Sequence, residues 1–250
     1  MSRSSRRNSG TALVVGATGD IGRAIARRLG RDGWELQLAA RDPAQLEAEA
    51  QDLRLRGISV SAHECDLLNE DGGVSLIDAL PATPDVAVCT VGVLGDQSDA
   101  ETDWRAAERV MRTNYLGPAL LMGALANRFE QRGHGTLVGI GSIAGERGRR
   151  SNYAYGSAKS GFTTFLSGLR SRLLRSGVHV VTVKPGYVRT RMTDHLELPA
   201  LLTAEPEDVA EAIARAIRKR RDVVFVGRLW RPVAFVVRAM PESIFKRISL

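Results

Sequence analysis

Short apolar runs rich in β-branched residues recur along the chain, and between them lie segments whose apolar residues repeat near every ~3.6 positions. TALVVGA, WELQLAA, ISVSAHECD, PDVAVCTVG, GTLVGIGS, VHVVTVKPG and DVVFVG read as seven strands. Helical spacing runs from Ile21 to Leu29, Pro43 to Leu55, Trp104 to Phe129, Ser157 to Ser176 and Pro206 to Arg220. Strict alternation of the two patterns implies parallel strands, because parallel neighbours need a crossover and a helix supplies it. The expected fold class is therefore α/β: a single-domain, Rossmann-type doubly wound parallel sheet of about seven strands with helices on both faces. Such sheets bind ligands at the carboxyl ends of their strands.

The 250 residues, 44% hydrophobic and 25% charged, suffice for one such domain with a sizeable core. Residues 1–10 read as a disordered basic tail, 11–227 as the Rossmann-type domain, and 228–250 as an amphipathic basic extension of it. The net charge of +7 fits anionic ligands or an anionic surface. No basic and aromatic residues interleave on a recognition element, so nucleic acid is not an expected partner. Cys65 and Cys89 each sit in an apolar run, as free thiols of a reducing, cytoplasmic compartment would. No metal-ligand spacing occurs, no metal site is expected, and nothing reaches the roughly 18 apolar residues of a spanning helix.

Between the first strand and its helix stands VVGATGDIGRAIA, with Gly16, Gly19 and Gly22. Glycines there let the backbone approach a pyrophosphate, and the helix N-terminus offers unpaired N–H donors. Thr18, Asp20 and Ile21 complete that turn. The second strand ends LAARD, placing Ala40 where a ribose-binding carboxylate would stand and Arg41 beside it. A guanidinium there can pair with a 2′-phosphate, which favours NADP(H), with NAD(H) as the second option; Arg41 as a solvated loop residue is the bland alternative. Asp66, followed by Leu67, is placed either to accept from an adenine amino group or to close a turn.

AGERGRRSNYAYGSAKSG holds two tyrosines. Tyr153 has a serine four residues on, whereas Tyr155 has Lys159, so only the second pair shares a helix face. Ser142 follows an apolar strand just upstream, and Asn114 lies in RTNYLGP. A phenol is a poor acid at neutral pH, and a nearby ammonium is expected to lower its pKa. With Gly92 and KPGYVRT, this ordered set resembles the short-chain dehydrogenase/reductase family over nearly the whole chain. The resemblance implies a catalytic tetrad of Asn114, Ser142, Tyr155 and Lys159. It also implies nicotinamide contacts from Tyr155, Lys159, Pro185, Gly186, Val188 and Thr190, and reduction of a ketone to a secondary alcohol. The sequence departs from the family at Val15-Gly16 for the opening Thr-Gly, at the middle glycine, displaced to Gly19, at CTVG for NNAG, and at Gly141 for the first serine of a pair.

Arg147, Arg149 and Arg150 precede Tyr155, and Arg189 and Arg191 follow the proline-glycine turn. Arg147, Arg149, Arg150 and Arg191 are candidates for binding an anionic substrate, since guanidinium pairs with phosphate; ion pairing within the protein is the alternative. The ending GRLWRPVAFVVRAMPESIFKRISL mixes apolar and basic residues, as a helix lying at a membrane surface would, or one packed on the core or another subunit. AGERGRR, YGSAK, GYVRTRM, VGVLGDQ and MPESIFKRISL together resemble the decaprenylphosphoryl-2-keto-erythro-pentose reductases. That resemblance implies a polyprenyl-phosphate-linked 2-keto pentose substrate in the synthesis of an arabinose donor, a flavin-dependent oxidase partner and a homodimer or homotetramer. A general ketoreductase acting on carrier-bound, steroid or free sugar substrates is the rival within enzymes. A non-catalytic dinucleotide sensor or scaffold is the rival outside them.

Overall fold

The computed structural model describes residues 10–247. The basic tail read over 1–10 therefore lies, but for Gly10, outside the described residues. The strands in chain order are β1 (Thr11–Val15), β2 (Glu35–Ala40), β3 (Val60–Glu64), β4 (Val86–Cys89), β5 (Gly135–Ile140), β6 (Val178–Pro185), β7 (Tyr187–Val188), β8 (Thr203–Ala204) and β9 (Val223–Val226). The helices are α1 (Asp20–Arg31), α2 (Glu47–Leu55), α3 (Gly72–Ala79), α4 (Gln97–Thr102), α5 (Trp104–Met111), α6 (Gly117–Arg132), α7 (Tyr153–Arg172), α8 (Pro206–Lys219), α9 (Trp230–Ala239) and α10 (Glu242–Phe245).

Seven strands form one parallel sheet in the order β3-β2-β1-β4-β5-β6-β9, as the alternation requires, and β7 and β8 pair separately. From β1 the chain winds outward through β2 and β3, then returns to place β4 on the other side of β1. In register, Val14 faces Leu38 of β2 on one side and Val88 of β4 on the other. That reversal leaves a cleft at the carboxyl ends of β1 and β4, where a ligand can enter.

The period of two along the strands sorts side chains between two cores. Ala12, Val14, Leu38, Val88, Val138 and Val181 point to the face covered by α1 and α8, meeting Ile25, Leu29, Val209 and Ile213. Leu13, Val15, Ala87, Leu137 and Val180 point to the other face, against Leu121, Met122, Phe129, Phe162 and Leu166 from α6 and α7. Helix ends follow their caps. Asp96 accepts from Ser98 N at 2.7 Å to start α4, Glu205 and Asp208 form a reciprocal capping box around Pro206 at the start of α8, and Gly133 ends α6 at φ +80°.

Three helix expectations change. The segment from Trp104 to Phe129 is not one helix: α5 and α6 are separated by a π turn over Arg112–Leu116, with Asn114 at its centre. Helix α7 begins at Tyr153 rather than Ser157, so Tyr155 lies in its first turn. Pro43–Leu46 forms a 3₁₀ turn before α2, capped by Asp42, whose carboxylate accepts from Ala44 N at 3.0 Å.

The extension after Gly227 packs back onto the domain. Trp230 and Ala234 are buried against Ile143, and Phe245 is buried beneath the Arg147 guanidinium, 4.1 Å from its ring centroid. Arg147 donates to Val237 O at 3.0 Å and to Met240 O and pairs with Glu242. Glu146 is held between Lys184 of β6 at 2.6 Å and Arg238 of α9 at 3.0 Å. The opposite side of α9 stays in solvent, with Phe235 70% and Val236 56% exposed. Among the described residues no helix is long and apolar enough to cross a membrane.

Candidate active site

At the carboxyl end of β1 the chain turns into α1 through three glycines that differ in what they do. Gly16 adopts φ +86°, and a Cβ there would sit 2.6 Å from the Thr90 hydroxyl. Gly22 is pressed against Gly16, its Cβ position only 2.4 Å from Gly16 O, so α1 docks tightly beneath the turn. Gly19 is exposed and caps α1 with no side-chain bond, leaving the first-turn N–H groups open to an anion. The turn is the cradle that a nucleotide pyrophosphate needs.

The cleft beyond it, about 380 Å³, is lined by Gly16, Thr18, Asp20, Ile21, Arg41, Asp66, Leu67, Gly92 and Thr190 among others. All of these are residues the sequence assigned to a dinucleotide. Asp66 closes its own turn, Oδ1 accepting from Leu68 N at 3.0 Å, which leaves its other oxygen for a ligand. Arg41 is exposed at the cleft and makes no hydrogen bond or ion pair among the described residues.

Two further residues that the motif reading did not assign shape the site, Thr90 at this cleft and Trp230 at the cavity beside it. Thr90, in the CTVG that departs from the family pattern, places its hydroxyl 2.9 Å from Val15 O and 3.1 Å from Gly16 O, tying the ends of β1 and β4 together. Trp230 sits far along the sequence, in the segment read as lying on a membrane surface or packing on the core or another subunit, and the tertiary fold brings it in. Its indole packs on Gly186, crosses Tyr187 edge-to-face at 5.4 Å, and donates from Nε1 to Leu202 O at 2.9 Å.

Adjoining the cleft is a second cavity of about 550 Å³, and Ser142, Tyr155, Lys159, Pro185, Gly186, Val188 and Thr190 line it. Ser142 leaves β5 in extended conformation and accepts from Ala144 N at 3.1 Å, which fixes its rotamer. Its hydroxyl neighbours the Tyr155 phenol and favours that phenol's ionised form. Lys159, one turn beyond Tyr155 on α7, is buried and donates from Nζ to Ile140 O at 3.0 Å, with Nζ 5.8 Å from the Tyr155 ring centroid.

Asn114 is fully buried behind them, its Nδ2 donating to Val93 O at 2.7 Å and Val110 O at 2.8 Å. The π turn releases Val110 O from the regular helix ladder, which frees it to accept the amide. Gly92 lies between Asn114 and Lys159, a Cβ there meeting Asn114 Oδ1 at 2.8 Å and Lys159 Nζ at 3.2 Å. Asn114 and Lys159 thus meet at Gly92, while Ser142, Tyr155 and Lys159 share one cavity wall.

Electrostatics here correct one expectation. The lysine does not bring the phenol down: burial pushes the Tyr155 pKa above its ordinary value, and the Ser142 hydroxyl offsets only part of that. Lys159 is itself lowered to about 8 by burial, partly countered by the Cys89 thiol. The neutral phenol is therefore the resting form, a hydrogen-bond and proton donor. Burial pushes Cys65 up to about 12 and Cys89 up to about 11, so both are inert thiols at neutral pH.

The arginines separate. Arg147 faces the C-terminal extension and lines no part of the second cavity, because its donors are taken by the carbonyls at the end of α9 and by Glu242. Arg191 reaches back to Asp20 and Thr18 on the rim of the cofactor cleft. Arg150 is exposed and lines neither cavity. Arg149 alone of the four lines the second cavity, and its Nε is buried without a partner. Asn152, on the same wall, has a buried Oδ1 without a partner. Among the described residues no cluster of side chains could hold a metal ion.

Comparison with known proteins agrees with this architecture. Residues 10–199 match the model of the short chain dehydrogenase family. An uncharacterized oxidoreductase of Mycobacterium tuberculosis is 38% identical over 247 residues, covering 96% of this chain and 98% of its own. A short-chain dehydrogenase from Sphingobium yanoikuyae in complex with NADPH superposes with a TM-score of 0.80 at 25% identity, over 94% of this chain and 97% of that one. An actinorhodin polyketide ketoreductase with NADPH does so with a TM-score of 0.77 at 27% identity, over 90% and 98%. Family match over most of the chain and a relative 38% identical along nearly all of it decide the assignment: this chain belongs to the short-chain dehydrogenase/reductase family of oxidoreductases.

Proposed function

We propose that the protein reduces a ketone to a secondary alcohol with NADPH, NADH serving as the weaker donor. The observation that carries this reading is the protonated Tyr155, sharing a cavity wall with Ser142 and Lys159, beside an anion-ready glycine turn. The residues fit the cofactor: Gly16 at φ +86° and the close docking of Gly22 on Gly16 O shape the tight turn, and Gly19 leaves the α1 N-terminus open. Arg41, unpaired at the cleft, stands where a 2′-phosphate would need it, while Asp42 is occupied in capping the next turn. The neighbours holding NADPH support the same choice. When bound, the cofactor would supply hydride.

In this reading Tyr155 donates its proton to the substrate oxygen and Ser142 donates a hydrogen bond to that oxygen as charge gathers on it. The Lys159 ammonium stabilises the phenolate left behind, and Asn114 holds the backbone against which Lys159 and Gly92 are set. Pro185, Gly186, Val188 and Thr190 form the wall for the nicotinamide end.

The substrate cavity pairs apolar walls, Leu94, Val110, Ile143, Leu196 and Trp230 among them, with Arg149 and Asn152. That combination suits an amphiphilic ketone with an anionic group, of which a 2-keto pentose on polyprenyl phosphate is one case and a carrier-bound ketoacyl chain another. The lipid-linked case gains support from the exposed apolar side of α9, with Arg228 and Arg231 at its start, as a contact for an anionic membrane surface. Two further parts of this reading are a flavin-dependent oxidase that supplies the ketone and self-association through α6 and α7. Exposed Leu116, Leu120 and Tyr153 support the latter. The test is NADPH consumption with both ketone types. Tyr155→Phe is expected to lose turnover by at least 10²-fold, the scale of general-acid catalysis, while binding NADPH as the native protein does. Residual turnover near the native rate overturns the assignment.

A further inference from the structure

Asp20 is the first residue of α1, where the helix dipole and the open N–H groups favour negative charge. A carboxylate at that point is stabilised by the helix, and it opposes a diphosphate brought to the same place. Arg191, from the segment that follows β7, answers it across the cleft. Its backbone N–H donates to Asp20 Oδ2 at 2.8 Å, Nε donates to Asp20 Oδ1 at 3.0 Å, and Nη2 donates to Thr18 O at 2.7 Å. Asp20 and Arg191 both line the cofactor cleft, while Thr190 and Met192 on either side of Arg191 line the cleft and the substrate cavity alike.

We propose that Arg191 is a cofactor-positioning residue rather than a substrate ligand. It cancels the Asp20 charge so that the α1 N-terminus can accept a diphosphate, and its remaining N–H donors are available to that diphosphate. The same contact ties the segment after β7, in which Thr190, Met192, Thr193, His195 and Leu196 line the substrate cavity, to the glycine turn, so a filled cleft holds that wall in place. The inference rests on the nicotinamide dinucleotide reading given above. It accounts for the departure of this sequence from its family at the middle glycine: a carboxylate beside the phosphate site is tolerable when a guanidinium reaches it from the opposite wall.

The pair is exposed to solvent, and exposed ion pairs contribute little to folding stability. A purely structural role therefore predicts that Arg191→Ala changes almost nothing. The positioning role predicts that Arg191→Ala raises the dissociation constant for NADPH about ten-fold, read by quenching of protein fluorescence, with the melting temperature of the cofactor-free protein unchanged. Asp20→Gly in the Arg191→Ala background recovers most of that loss. Adenosine 2′-monophosphate, which lacks the diphosphate, binds the native protein and both variants equally. Hydrogen exchange over residues 189–202 slows when NADPH is added to the native protein and does not slow in Arg191→Ala. Unchanged NADPH affinity in Arg191→Ala, or a double variant no better than the single one, overturns the positioning role while leaving the cofactor reading intact. A native protein that binds neither NADPH nor NADH overturns that reading and this proposal with it.

Discussion

Asn114 grips Val93 at both ends of its side-chain amide, Nδ2 donating to the carbonyl at 2.7 Å while Oδ1 accepts from the N–H at 3.2 Å. The loop after β4 is thereby pinned to the π turn. Asn114→Ala leaves the Val93 and Val110 groups without partners in a buried site, at about 1–3 kcal/mol for the lost satisfaction. Asn114→Asp keeps the acceptor toward Val93 N but turns an oxygen toward two carbonyls, so it is expected to destabilise at least as much. Thermal melting checks both: each variant should melt below the native protein by roughly 2–4 °C per kcal/mol, and the aspartate should not rescue the alanine.

Lys159 gives a pH dependence with a definite sign. Its pKa is about 8 in the folded protein against an ordinary lysine value of 10.5, so the unfolded chain binds more protons between those values. Burying the ammonium costs stability, the full cost is present below about pH 8, and it is relieved as pH rises toward 10.5. Lys159→Met removes that cost. The melting temperature of the variant relative to the native protein should be most favourable near neutral pH and decline toward pH 10, measured in parallel scans. A difference that does not change with pH contradicts the burial argument.

Two glycines in helices should respond to alanine in opposite directions. Gly22 and Gly168 both gain helix propensity and lose unfolded-state freedom on substitution, worth about 0.5–1 kcal/mol. At Gly168 of α7 nothing lies within 4 Å of the new Cβ, so the gain is expected in full. At Gly22 the Cβ would fall 2.4 Å from Gly16 O and 2.9 Å from Ala17 Cα, both backbone atoms that cannot swing aside. Overpacking of this kind costs about 1–3 kcal/mol and wins. Denaturant unfolding of the two variants should show Gly168→Ala more stable and Gly22→Ala less stable than the native protein.

The alternation of strands and helices is enough to read the sheet, because β1, β2, β4, β5 and β6 are buried on both faces and read as apolar runs, with helical periods between strands. Tyr155 could be told from Tyr153 by Lys159 alone, since helical spacing is local information. What could not be read was whatever depends on a partner distant in sequence. The π turn at Asn114 goes with a side-chain amide that bonds the Val93 and Val110 carbonyls, and the Val93 partner lies 21 residues away, where no local pattern encodes it. Arg147 and Arg191 looked like Arg149 in the sequence; their roles diverge only because Glu242 and Asp20 lie beside them in the fold. The Tyr155 pKa departs from expectation for a related reason: spacing shows the nearby ammonium but not the burial that raises the phenol.

Trp230 shows most directly what the C-terminal extension contributes. Its indole fills the space over Gly186, walls the substrate cavity and holds Leu202 through Nε1 at 2.9 Å. Trp230→Ala vacates a buried aromatic site, a change that costs about 3–5 kcal/mol, and merges the vacated space with the substrate cavity. Trp230→Phe retains much of the packing and loses the hydrogen bond, worth about 1 kcal/mol. Truncation after Gly227 removes the indole together with the Arg147 and Glu146 contacts, so it should destabilise more than either substitution if residues 228–250 belong to the domain. The ordering in denaturant, native above phenylalanine above alanine above truncated, tests this directly. The alanine variant should also shift kcat/KM toward ketones bulkier than those the native protein prefers. A truncated protein as stable as the native one would mark the extension as an appendage whose packing on Ile143 has no energetic consequence.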